Sequence, residues 1–527
     1  MNRDDMLGRL HDHDGPWDMF VIGGGATGVG IALDAASRGY NVLLAEQSDF
    51  GKGSSSRSTK LIHGGVRYLQ QGNIPLVMEA LKERGILRHN APHLVHDLAF
   101  IVPNYDWWET PFYGIGMKVY DLLAGKYGFG NSRLLSKEET LRRIPTLRTE
   151  GFRGGVMYHD GQFDDARLLI AMARTADAQR ATLLNYFRVV ALTKNSAGFL
   201  DGAICEDVET GAEHKISAKV ILNASGPFSD AVRQLDDPQA APMIAPSQGI
   251  HLVLDGSFLP GGSAIMVPRT SDGRVMFAIP WHGATLVGTT DTPIREPSLE
   301  PLPLPEEVDF ILETAGQYLR KAPARSDVLS VFAGIRPLVK SVEGKNTAAL
   351  SRDHNIHISS SGLLSVSGGK WTTYRKMAED CVDQASTLAG LEARPCVTER
   401  LNIHGYHSNA AKFGELALYG ADAPAVEELM RSESALGDKL HPAFEARAGE
   451  VVWSARYEMA RTVDDFLARR SRALVLNARA AIEAAPRVAE LLAKELGRDH
   501  QWQQTQKETF NSIAQNYVLS STSNPAE

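Results

Sequence analysis

Cysteine is scarce: the 527 residues hold three, Cys205, Cys381 and Cys396, and no two of them form a C-x-x-C pair. That excludes a disulfide framework and a cysteine zinc site, and it suits a reducing compartment. Long apolar runs are missing too, since no stretch approaches the ~18 residues of a spanning helix. The lead from Met1 to Asp18 is polar and charged, lacks the apolar centre of a secretory signal, and reads as a flexible segment. Nor is positive charge in excess: 55 Lys and Arg stand against 63 Asp and Glu, a net charge of −8. A general nucleic-acid binder would need a basic face, so none is expected. What remains, 43% hydrophobic and 22% charged residues, is a globular composition long enough for two or three domains.

The chain begins its organised part at once. Asp18-Met-Phe-Val-Ile-Gly-Gly-Gly-Ala-Thr-Gly28 reads as a short apolar strand entering a glycine turn, Val29 to Ser37 as a helix stopped by Gly39, and Asn41 to Glu46 as the next strand. A Gly/Ser-rich loop, residues 51–60, follows this βαβ unit. Ile74 to Asn90 and Leu168 to Ala181 are predicted helices, and residues 98–150 read as an irregular, aromatic-rich insertion. Residues 189–220 alternate like hairpin strands, and His251 to Thr290 suggests an antiparallel sheet. Beyond about residue 400 strand signals give way to Ala/Arg/Leu/Glu-rich helical stretches. Ser520 to Glu527 reads as a disordered end.

Gly23-x-Gly25-x-x-Gly28 fits a dinucleotide fingerprint. With 47 glycines in the chain, the preceding strand, the following helix and Glu46 at the end of the next strand carry that reading. Gly23 permits the tight turn, Gly25 lets the backbone approach a pyrophosphate, and Gly28 lets helix and strand pack closely. The helix N-terminus meets the phosphates, and Glu46 accepts from ribose hydroxyls. Two further glycine turns, Asn223-Ala224-Ser-Gly226-Pro-Phe228 and Ser367-Gly-Gly369-Lys370-Trp371, favour FAD over NAD, because a longer cofactor is contacted at several distant loops. The second is not a Walker P-loop, since Leu364 and Trp371 occupy positions that need Gly and Ser or Thr.

At residues 54–69, Ser-Ser-Ser-Arg-Ser-Thr-Lys-Leu-Ile-His-Gly-Gly-Val-Arg-Tyr-Leu, the sequence stops being generic. With the fingerprint it resembles the FAD-dependent glycerol-3-phosphate dehydrogenase family. Residues 158–167 (YHDGQFDDAR), 277–281 (FAIPW), 288–291 (GTTD), 334–338 (GIRPL), 351–353 (SRD), 368–375 (GGKWTTYR) and 460–472 (ARTVDDFLARRSR) extend the likeness over roughly 18–480. Trp371 departs from the Leu or Ile often found there.

The resemblance implies an α/β fold: a glutathione-reductase-type FAD-binding domain (18–75, 151–235 and 330–390), an antiparallel-sheet substrate domain (76–150 and 236–329) and a C-terminal helical domain (391–527). It implies FAD as cofactor, and oxidation of sn-glycerol 3-phosphate to dihydroxyacetone phosphate by hydride transfer from C2 to flavin N5. It implies a membrane quinone as acceptor and a cytoplasmic protein peripheral on the inner face of the cell membrane; a homodimer is among the assemblies it allows. Arg67, Arg336 and Arg352, with Tyr68, are implied near the substrate, where the planar fork of arginine suits a phosphate dianion. Ser54, Ser58, Lys60, Leu61 and Thr372 join Gly23, Gly25, Gly28, Glu46, Ala224, Gly226, Gly369 and Lys370 as implied cofactor contacts.

Lys370 has two readings: stabilising negative charge on reduced flavin, or touching a substrate oxygen. Histidine titrates in the range a base needs, and His63 and His251 both qualify, with preference for His251. The same site fits another polyol phosphate such as erythritol phosphate, an oxidase using O₂, or a catalytically dead flavoprotein that senses phosphorylated metabolites. No metal is expected: His11-Asp-His-Asp14 lies in the lead, and Pro92 breaks the helix that would align His89, His93 and His96. Met117–Tyr120 and Arg469–Arg472 are the stretches read as membrane-facing.

Overall fold

The computed structural model describes residues 1–65, 73–106, 109–268, 270–271, 273–340 and 354–519. Arg67, Tyr68 and Arg352, and the end of the chain at 520–527, lie outside the described residues.

The apolar Met19–Ile22 strand is buried along its whole length in a six-stranded sheet. Val42–Ala45 and Ile221–Asn223 flank it in parallel, placing Phe20 between Leu43 and Ile221. Thr182–Leu184 and Leu364–Gly368 extend the sheet in parallel, and His354–Ile358 closes one edge antiparallel. Strands covered on both faces need no polar alternation, which is why Met19–Ile22 and Val42–Ala45 read as unbroken apolar runs. The Ala26–Ser37 helix packs on Asp165–Ala178 and Tyr374–Leu388. A three-stranded antiparallel sheet, Phe187–Lys194, Leu200–Asp207 and Glu213–Ser217, stands beside it.

A ten-strand system forms the second layer. Ile244–Asp255 pairs antiparallel with Ala284–Gly288 and with Val328–Val339, while Val95–Asn104 pairs with Gly154–Phe163 over ten residues. Gly154–Phe163 and Val328–Val339, which the sequence reading allots mainly to the FAD-binding segments, are therefore strands of this larger sheet. Their long antiparallel partners, not chain proximity, decide their place. The short Leu61–Ile62 strand joins the same sheet against Gly161 and Gln162. The helical domain follows, its Ala478–Leu496 helix burying Ala481, Ala485, Val488 and Leu492 at helical spacing in one core with Ile279 and Phe332 of the large sheet.

Ile74–Asn90 is a helix with the predicted bounds, whereas the helix expected at 168–181 is Asp165–Ala178, capped by the Asp164 side chain on the Arg167 N–H. Residues 98–150 are not irregular: they contain most of Val95–Asn104 and the Glu109–Ala124 and Lys137–Arg143 helices. The lead is not loose either. Asn2 caps the Arg3–His11 helix, Arg3 is buried against Asp207 at 3.0 Å, and His13 stacks on Trp17 at 3.6 Å. Charge alone made the lead look solvated; its arginine has an acidic partner more than two hundred residues away in the chain.

Candidate active site

The Met19–Ile22 strand delivers Gly23 into the turn with φ +111°, a conformation that favours glycine. A Cβ on Gly23 would stand 2.7 Å from the Ala224 carbonyl oxygen, and one on Gly28 would stand 1.9 Å from the Gly23 carbonyl oxygen. Gly28 thus lets the helix approach the turn, and the turn lines a cavity of about 410 Å³. Around the cavity stand Gly23, Gly25, Glu46, Ser54, Ala224, Gly226, Gly369 and Lys370, brought together from four separated segments of chain.

Glu46 accepts from the Gly24 N–H at 2.6 Å and the Ser48 N–H at 2.8 Å. Burial pushes its carboxyl up against these two donors. The 51–60 loop is held by Ser55, whose Oγ accepts the Ala26 N–H at 2.9 Å and whose carbonyl accepts Trp371 Nε1 at 2.9 Å. Trp371 thereby makes a bond that Leu or Ile could not, with its ring edge-on to Phe163. Ser54 Oγ donates to the Ile335 carbonyl.

Ser58, Lys60, Leu61 and Thr372 do not line this cavity. Ser58 Oγ and Lys60 Nζ both donate to Asp165 Oδ2 at 2.7 Å, Leu61 is buried in the large sheet, and Thr372 Oγ1 donates to the His63 carbonyl at 3.5 Å. Burial pushes the Lys60 ammonium down to about 7, opposed by Asp165.

His251 and Arg336 come together on the large sheet. His251 is 3% exposed, its Nε2 lies 2.9 Å from Thr59 Oγ1, and its ring stacks on Phe332. Two residues earlier on the same strand, and so on the same face, Gly249 leaves room for the Arg336 guanidinium: a Cβ there would lie 2.5 Å from it. Arg336 donates to Asp291 Oδ1 and Thr289 Oγ1, each at 3.2 Å. Burial, with the charges of Lys60 and Arg336, holds the His251 imidazole well below its ordinary value. His63 lies on the chain leaving Leu61–Ile62, half-buried.

Several features escaped the sequence. Lys52, Phe187 and Val189 also line the cavity, and only Lys52, inside Gly-Lys-Gly, carried a signal. The Arg469–Arg472 stretch is not a solvated or membrane-facing helix: Arg469 and Arg470 close on Asp49, Arg472 reaches Asp165 at 2.9 Å, and all three are buried. Buried arginines must be paired: Asp464 and Asp465 serve Arg469 from the same segment, while Asp49 and Asp165 come from far away in the chain. At Met117–Tyr120 only Lys118 and Val119 face outward. Among the described residues no three His, Cys, Asp or Glu side chains converge on a metal position.

A glycine turn with no room for a Cβ at Gly23 or Gly28, a carboxylate after the second strand and three more loops around one cavity fit the site of an FAD-dependent oxidoreductase. Residues 18–375 match the family described as FAD dependent oxidoreductase, and residues 364–507 match the C-terminal domain of alpha-glycerophosphate oxidase. The mitochondrial glycerol-3-phosphate dehydrogenase of Arabidopsis thaliana is 41% identical over 93% of this chain and 84% of its own; that of Homo sapiens is 41% identical over 94% and 72%. The structure of the glycerol-3-phosphate dehydrogenase from Bacillus halodurans complexed with FAD superposes with a TM-score of 0.80 at 30% identity, covering 98% of this chain and 97% of that one. The chain belongs to the FAD-dependent glycerol-3-phosphate dehydrogenase family, and its cofactor is FAD.

Proposed function

We propose that this protein oxidises sn-glycerol 3-phosphate to dihydroxyacetone phosphate and passes the electrons to a membrane quinone. The observation that carries the reading is the pairing of a buried, neutral histidine with an arginine on one face of the large sheet, in a chain about 40% identical to dehydrogenases of that name. Bound FAD supplies the acceptor for the hydride leaving C2. Arg336, pre-aimed by Asp291 and Thr289, takes the phosphate dianion, aided by Arg67 and Arg352. His251, neutral at pH 7, accepts the C2 hydroxyl proton, and Thr59 holds its Nε2 side. Phosphate bound on Arg336 cancels one of the two charges that depress His251, so substrate raises the basicity of the group that must deprotonate it. Lys370, at the mouth of the Leu364–Gly368 turn and in the cavity wall, provides positive charge beside the reduced cofactor.

Membrane contact is supported by an apolar outer face. Ile74 and Met78 on one helix, Val119 and Leu122 on the next, and Leu134 on the following strand are all exposed, Leu122 at 81%. Among the described residues no helix is long and apolar enough to cross a membrane; contact is proposed at the surface, on the inner face of the cell membrane.

The test is anaerobic: the purified yellow protein should bleach with glycerol 3-phosphate and recolour with a quinone analogue. Bleaching only with another polyol phosphate, or stoichiometric peroxide in air with no quinone reduction, would overturn the substrate or the acceptor respectively.

A further inference from the structure

We infer that the helical domain is a clamp on the FAD site, with Arg472 as the positioning residue that fixes the 51–60 loop. Three ties join the 464–472 segment to the chain between Asp49 and Lys60. Arg469 and Arg470 both close on Asp49, just beyond Glu46. Asp464 accepts Lys52 Nζ at 2.7 Å, and Lys52 is itself part of the cavity wall. Arg472 Nη2 donates to the Ser56 carbonyl and to Asp165 Oδ1, each at 2.9 Å.

The third tie decides the loop's shape. Ser56 sits between Ser55, whose Oγ and carbonyl are fixed by Ala26 and Trp371, and Ser58, whose Oγ is fixed by Asp165. Lys60 Nζ donates to the same Ser56 carbonyl at 2.8 Å, so one carbonyl takes two buried cations. Arg472 reaches it from a left-handed backbone, φ +64°, two residues past the Asp465–Arg470 helix. Its guanidinium is 1% exposed and lies over the Trp281 ring at 5.4 Å. A fork that holds Ser56 and Asp165 together from a different domain sets the distance between the loop and the Asp165–Ala178 helix. Arg472, Ser56 and Asp165 do not line the cavity, so the effect on the cofactor is indirect: docking of the helical domain adds to the Ala26, Ile335 and Trp371 contacts that hold the loop carrying Lys52, Ser54 and Ser55.

The test uses the full-length chain. Arg472→Met and Arg472→Lys would be purified, stripped of FAD and titrated with FAD by flavin fluorescence. Trypsin cleavage after Lys52 and Arg57 would be followed in the apoprotein. Asp422→Asn, which removes the Arg174 partner between the same Asp165–Ala178 helix and the helical domain but does not touch the loop, serves as the comparison.

Expected is a tenfold or greater loss of FAD affinity and faster loop cleavage for Arg472→Met, partial recovery in Arg472→Lys, and neither change in Asp422→Asn. Equal loss in Arg472→Met and Asp422→Asn, or FAD affinity unchanged in Arg472→Met, would overturn the inference. Should Arg472→Met fail to fold, Asp464→Asn, which loosens Lys52, gives the same readout: unchanged affinity and cleavage there would count against the clamp.

Discussion

The His251 imidazole stacks on the Phe332 ring with centroids 4.9 Å apart and planes 13° from parallel, and Lys60 Nζ lies 5.0 Å from the same ring. Histidine and lysine are thus held near one aromatic ring, where burial first, and then the charges of Lys60 and Arg336, keep the imidazole neutral. A base must be unprotonated to act, and this one has lost its proton well below its ordinary value. The acidic limb of kcat/KM for glycerol 3-phosphate should therefore fall below pH 6.5, with activity flat from there through neutrality. His251→Gln should lower kcat about 10²-fold or more, while His63→Gln should leave the position of that limb unchanged.

Arg336 is held by Asp291 and Thr289 before any substrate arrives. Arg336→Met should lower kcat/KM by one to two powers of ten, the scale of a charge-assisted pair of about 1.5–3 kcal/mol. Asp291→Asn leaves the arginine in place but loosens its aim, so KM should rise more than kcat falls. Steady-state kinetics with glycerol 3-phosphate and with glycerol separates the two, since only the former carries the phosphate.

Lys60 gives a pH signature in stability. Folded, its ammonium loses its proton at about 7; unfolded, it holds the proton to about 10.5. Between those values the unfolded chain binds more protons, so Lys60 makes stability rise with pH across that window. The difference in unfolding temperature between wild type and Lys60→Met should shift in favour of wild type from pH 7 to pH 10. A pH-independent difference would mean that the lysine is charged throughout.

Gly28→Ala should yield a colourless protein. The new Cβ would fall 1.9 Å from the Gly23 carbonyl oxygen, a backbone atom that cannot step aside without opening the phosphate turn. Absorbance at the flavin band of the purified variant, set against its circular dichroism, checks this.

Leu122→Asp should abolish co-sedimentation with anionic vesicles and leave reduction of a soluble dye by glycerol 3-phosphate within about twofold. Leu122 is 81% exposed, so little packing is lost on folding. Charge reversal at Arg470 should instead unfold the protein, because Asp49 would face a like charge in the interior.

Where chain neighbours decide structure, the sequence was informative. The strand, glycine turn and helix at 19–37 were legible because apolar run, turn and helix follow one another directly. The Ile74–Asn90 helix declared both its ends. Partners far away in the chain were not legible. Arg469–Arg472 reads as a basic surface until Asp49 and Asp165 are brought to it by the fold. Lys60 reads as a cofactor contact until Asp165 turns it inward. Gly154–Phe163 looks like any strand near the FAD segments until its ten-residue pairing with Val95–Asn104 claims it for the large sheet. The site divided in the same way: the glycine turns were found by spacing, whereas Phe187 and Val189 reach the cleft only because Phe187–Lys194 follows Thr182–Leu184 at the sheet edge.

The central Met19–Ile22 strand leaves the ribosome well before its partner Ile221–Asn223, and Leu364–Gly368 emerges later still. During synthesis its four apolar residues wait without one neighbour while the Val95–Asn104 and Gly154–Phe163 strands of the large sheet are made. Domains assemble as units as the chain emerges, but this nucleotide half is no unit until the residue-368 turn exists. Flavin capture therefore waits for the residue-368 turn, and a chain truncated before it should never turn yellow.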